Sequence, residues 1–68
     1  MSEKEIIECL KNEYGFTTVL ENAFCFTFRK DNLEIDYYKN IKYLTGKRFV
    51  EPIRTKKDIE KFMREITL

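Results

Sequence analysis

The chain has 68 residues, 43% hydrophobic and 37% charged, with 13 basic and 12 acidic side chains, which is room for one small domain and no second. It holds no histidine, no tryptophan and only two cysteines, Cys9 and Cys25. Histidine-dependent chemistry, a four-ligand zinc site and a disulfide scaffold are therefore excluded, and no cofactor or metal is expected.

Ser2 followed by Glu5 is a capping-box pattern, and Ile6, Ile7, Leu10 and Tyr14 then recur at helical spacing until Gly15, which predicts a first helix. From Phe16 to Phe28 the residues are dominated by Phe, Thr and Val, which suit a pleated, half-buried surface. Asp31-Asn32 reads as a two-residue hairpin loop that sets Phe28 opposite Ile35, Phe26 opposite Tyr37 and Arg29 opposite Glu34. A three-residue loop at Glu21-Asn22-Ala23 is expected to set Leu20 against Phe24 and Phe16 against Phe28. The inner face is then Phe16, Leu20, Phe24, Phe26, Phe28, Leu33, Ile35 and Tyr37.

Beyond Tyr38 the pattern predicts a turn at Lys39-Asn40, a short strand from Ile41 to Leu44, a turn at Thr45-Gly46 and a fifth strand over Arg48 to Val50, with Pro52 ending the pairing. Thr55 with Asp58 three positions later opens a second helix whose stripe is Ile59, Phe62, Met63 and Ile66. The expected fold is α+β: an antiparallel sheet of three to five strands, with N- and C-terminal helices packed on one face.

Charge is unevenly placed. Residues 1–38 carry four basic and eight acidic side chains, and residues 39–68 carry nine basic and four acidic ones. Lys42, Lys47, Arg48, Arg54, Lys56 and Lys57 stand near Tyr37, Tyr38, Tyr43 and Phe49, the basic and aromatic interleaving that nucleic-acid binders use. Arg54, Lys56 and Lys57 also cluster at the start of the second helix, where free N–H groups suit an anion. Against this, Glu3, Glu5, Glu8 and Glu13 of the first helix can settle the polarity internally beside the second.

Gly46-Lys47-Arg48-Phe49 and Arg54 to Phe62 resemble the last strand and helix of small three-stranded DNA-binding domains, such as methyl-CpG-binding domains and the arm-binding domains of phage integrases. The resemblance covers under a third of the chain and would imply nucleic-acid binding by the basic segment. The helix–strands–helix order, with Lys56-Lys57 opening the last helix, is similar to double-stranded-RNA-binding domains, whose loop motif is absent.

The outer sheet face gives the preferred reading. It is expected to carry Val19, Cys25 and Tyr38, joined by Ile41 and Tyr43 or else by Leu44, depending on the turn after Tyr38. Apolar surface rimmed by charge marks interfaces, and tyrosine is enriched at their hot spots. Glu34 and Asp36, about 7 Å apart on one strand, could form a carboxylate pair, but opposite Arg29 and Thr27 they read as solvated charge. The expectation is thus a non-catalytic protein-binding or regulatory module, docking another protein or a second copy through Val19, Cys25, Tyr38, Ile41 and Tyr43. Nucleic-acid binding by the basic segment is the alternative. The uncharged stretches Tyr14 to Leu20 and Asn22 to Phe28 are too short to span a bilayer, and no apolar leader precedes the first helix, so a reduced, cytoplasmic setting is expected. Phe, Tyr, Met, Ile, Asn and Lys make up 32 of the 68 residues, a bias that suggests a low-G+C bacterial or phage source.

Overall fold

Ser2 starts the first helix as its composition predicts. Its hydroxyl accepts from the Glu5 N–H at 3.2 Å while the Glu5 carboxylate accepts from the Ser2 N–H at 2.8 Å, satisfying two backbone donors that a helix otherwise leaves open. A computed structural model describes Met1–Leu68, and in it this helix, α1, spans Glu3–Asn12. Gly15, at φ 76°, turns the chain away, a conformation that glycine adopts without a Cβ penalty.

Five strands follow: β1 Thr17–Glu21, β2 Cys25–Lys30, β3 Leu33–Tyr38, β4 Tyr43–Gly46 and β5 Phe49–Pro52. They form one antiparallel sheet in sequence order. The closing helix, α2, spans Lys56–Thr67. The Asp58 carboxylate accepts from the N–H groups of Arg54 and Thr55 at 2.8 and 3.0 Å, so the positive end of α2 is neutralised by its own third residue. Those two hydrogen bonds, Arg54 first, hold the Asp58 carboxyl below its ordinary range.

The helices lie on one face of the sheet. Ile6, Cys9 and Leu10 of α1 and Ile59, Phe62, Met63 and Ile66 of α2 are buried together with Phe16, Phe28, Ile35, Tyr37, Leu44 and Ile53. Alternation dictates the rest: with Phe28, Ile35 and Leu44 inward, their strand neighbours Thr27, Asp36 and Thr45 point outward. The predicted hairpin register holds throughout, with Phe28 opposite Ile35, Phe26 opposite Tyr37 and Arg29 opposite Glu34.

β1 departs from expectation. Asn22 Oδ1 accepts from the N–H groups of Phe24 and Cys25 at 2.8 and 2.9 Å, and the Asn22 N–H reaches the Cys25 carbonyl. This asparagine-built turn leaves only Ala23 and Phe24 in the loop, one residue fewer than predicted. Leu20 therefore pairs with Thr27 instead of Phe24, and the register slips between Thr18 and Leu20, so that Thr18, not Phe16, faces Phe28. The slip is a β-bulge at Val19. Phe16 is buried ahead of the strand, whereas Leu20 and Phe24, both expected on the inner face, are exposed.

The later strands are shifted as well. A four-residue turn, 39–42, joins β3 to β4, and Thr45 and Gly46, expected as a turn, are paired strand residues. The turn instead is Lys47-Arg48, with φ of 47° and 73°, the double positive-φ geometry of a two-residue hairpin. Pro52 still pairs with Tyr43 as the last residue of β5. Opposite Leu44 on the inner side, Glu51 meets Lys61 at 3.3 Å. Glu65 of α2 lies close by with Oε1 buried and without a hydrogen-bond partner. Burial first, and the neighbouring Glu51 next, hold the Glu65 carboxyl above its ordinary range.

Candidate functional site

The sheet face turned away from the helices is built from three cross-strand rows. The central row runs Leu20, Thr27, Asp36, Thr45, Val50 across all five strands. A second row runs Cys25, Tyr38, Tyr43, Pro52, and a third Thr17, Arg29, Glu34. No other element covers this surface. Leu20 and Val50 are each 55% exposed, Tyr38 38% and Tyr43 36%.

The polar residues at the centre are tied to one another. Thr27 Oγ1 donates to Asp36 Oδ1 at 2.6 Å, the short distance of a hydrogen bond to a carboxylate. Arg29 meets Glu34 at 2.8 Å with both side chains more than half exposed, a pair that contributes little to stability but holds the single cation of the three rows.

Of the residues expected on this face, Cys25, Tyr38 and Tyr43 share the second row. Val19 sits in the bulge, exposed and unpaired, and Ile41 lies in the 39–42 turn beyond the strand ends, exposed. Leu44 is fully buried, which leaves Tyr43 as the outward residue of that stretch. Leu20, Val50 and Pro52 also belong here and were not expected. Only the hairpin geometry at Asn22 and at Lys47-Arg48 puts them outside, and alternation within one strand carries no information about either.

The basic segment is dispersed. Lys47 and Arg48 turn the chain at one end of β4, whereas Lys42 lies at the other end, where its carbonyl accepts from the Ile53 N–H and the chain continues to Arg54, Lys56 and Lys57. Lys56 is committed to Glu13 at 2.7 Å, and the two shift one another: the Lys56 ammonium is held above its ordinary range and the Glu13 carboxyl below it. Lys39 lies 4.4 Å from the centre of the Phe26 ring and 3.0 Å from Glu21, a cation held between a π-face and a carboxylate. Gly46 to Phe49, likened to the last strand of three-stranded DNA-binding domains, is here the junction between two strands.

The cysteines lie on opposite sides of the sheet, Cys9 buried beneath α1 and Cys25 partly exposed on the outer face, and both are free thiols. No helix is long and apolar enough to cross a membrane. Comparison with family models, with curated proteins and with solved structures finds no match.

Proposed function

We propose that the chain is a non-catalytic protein-binding module whose docking surface is the outer sheet face. One observation carries this reading: a five-stranded face free of covering elements exposes Leu20 and Val50 at its two margins and Tyr38 and Tyr43 between them. A sheet face that only meets water is polar in alternation with the buried one. Here leucine, valine, cysteine, proline and two tyrosines share the outward positions with Thr17, Thr27, Arg29, Glu34, Asp36 and Thr45, more apolar surface than alternation with a solvated face requires, and tyrosine is enriched at interface hot spots. Nucleic acid is the less favoured partner, because the cations of the 42–57 segment are divided between two ends of the sheet and Lys56 is paired internally.

The test is partner recovery from the native lysate with three forms of the protein: wild type, Leu20→Glu with Val50→Glu, and Lys56→Glu with Lys57→Glu. A protein partner retained by wild type and the lysine variant but lost from the outer-face variant is the expected result. Retention on heparin that disappears with the lysine variant, with no protein partner recovered, overturns the reading in favour of phosphate contacts, which also weaken steeply with salt.

A further inference from the structure

Resting on that docking surface, we propose that its occupant is an extended segment of a partner protein that presents a lysine or arginine to Asp36, with apolar residues on either side. Three features of the face converge on this choice. Asp36 occupies β3, the central strand of five, and the central row of the face. One of its oxygens takes the Thr27 hydroxyl, leaving lone pairs unused that a second donor can fill. The only cation of the three rows, Arg29, is already held by Glu34, so the face has an excess of negative charge at its middle and apolar side chains at its margins.

Tyr38 and Tyr43 occupy the outward positions neighbouring Asp36. Tyr38 is two residues along the same strand and Tyr43 is diagonal to it through the Thr45 pairing, separations of about 7 Å. A carboxylate with two tyrosines at neighbouring outward positions is suited to a guanidinium or ammonium, which takes the charge-assisted hydrogen bond and whose alkyl stem or charge can pack against the tyrosines.

A second copy of the chain is a poorer occupant. A two-fold axis through the middle of the face brings Asp36 against its own mate, burying like charges that neither copy can neutralise. The extent of the face points the same way. The three rows present twelve outward residues, well short of the roughly 20–30 residues a side of a standard interface. A single extended segment fits that extent.

The experiment selects binders from a displayed library of random nine-residue peptides on the full chain. The selected peptides are then measured by calorimetry against wild type, Asp36→Asn, Thr45→Lys, and the double variant Leu20→Ser with Val50→Ser. The Asp36→Asn change removes the charge while its amide oxygen can still accept from the Thr27 hydroxyl. The Thr45→Lys change places a competing ammonium beside an intact Asp36, so neither test depends on the other variant folding. The expected result is peptides with a shared lysine or arginine among apolar residues, weakened at least tenfold by Asp36→Asn or Thr45→Lys. Exchanging that peptide residue for norleucine then weakens binding to wild type but adds nothing to the Asp36→Asn loss. Peptides that need Leu20 and Val50 but carry no cation, or ignore both charge variants, overturn the cation site and leave the docking face standing. Sedimentation of the chain as a dimer that Leu20→Ser with Val50→Ser dissociates overturns it in favour of a second copy. Failure to obtain any peptide that depends on Leu20 and Val50 overturns the docking face as well.

Discussion

Gly46 leaves no space for a side chain over Ile35: a Cβ built there stands 3.0 Å from Ile35 Cγ2 and 3.4 Å from Phe62 Cζ. The close approach lets α2 settle onto β3 and β4, and it explains a glycine inside a paired strand. Gly46→Ala is expected to destabilise the fold by about 1–3 kcal/mol through overpacking, read as a lower urea midpoint with unchanged slope. A neutral effect would mean that Ile35 gives way to the added methyl.

The adjoining turn predicts a change of opposite sign. Lys47 and Arg48 both adopt positive φ, which costs an L-residue about 1–2 kcal/mol each. Asparagine and glycine favour that geometry. Lys47→Asn with Arg48→Gly should therefore raise stability by about 1–2 kcal/mol, visible as a higher melting temperature.

The division of the sheet into an inner and an outer face is open to direct measurement. Leu20→Ser and Val50→Ser, on exposed positions, should each change folding stability by no more than about 0.5 kcal/mol. Leu44→Ala and Phe28→Ala remove fully buried side chains and should cost about 2–5 kcal/mol. A Leu20→Ser loss as large as that of Leu44→Ala would reverse the assignment of β1.

Two carboxylates give opposite pH responses. Glu65 is held above its ordinary range in the fold, so the folded state favours the proton, and the stability this contributes is present in acid and lost as pH rises through the folded value. Glu65→Gln should be more stable than wild type at neutral pH, and the difference should vanish below about pH 4. Asp58 is held below its range by the Arg54 and Thr55 N–H groups, so its contribution is present at neutral pH and lost as pH falls through the folded value. Asp58→Asn should destabilise at neutral pH and lose its effect in strong acid. Denaturant curves across pH distinguish the two.

The two thiols should react at different rates. Burial first, and Glu13 beside it, push the Cys9 thiol up to about 11, leaving it protonated and shielded, whereas Cys25 is partly exposed. A thiol-exchange reagent on the native protein should modify Cys25 promptly and Cys9 only on unfolding. Equal rates for both would contradict the packing of α1.

The helices and the β2–β3 hairpin were legible in the sequence because local chemistry decides them. Ser2 with Glu5 and Thr55 with Asp58 mark the helix starts, and the apolar stripe of α2 falls where its spacing predicts. Asp31-Asn32 fixes the pairing of Phe28 with Ile35. β1 was not legible, because a two-residue loop pinned by Asn22 and a bulge at Val19 each shift the register, and Leu20 ends on the outer face as a result. The β4–β5 turn was missed for a related reason: Lys47-Arg48 lacks the asparagine or glycine that announces positive φ, while Gly46, which looks like a turn residue, serves packing. The outer face was thus half visible. Cys25, Tyr38 and Tyr43 follow from alternation, whereas Leu20 and Val50 depend on the two turns that alternation cannot read.

The bulge at Val19 has a counterpart in Pro52. An open sheet offers its two marginal strands as templates for further strands, the route by which such proteins polymerise. In β1 the irregular backbone at Val19 breaks the row of donors and acceptors, and in β5 Pro52 lacks an N–H altogether. Edge-to-edge addition of further strands is thereby obstructed at both margins, while the broad outer side stays open to solvent.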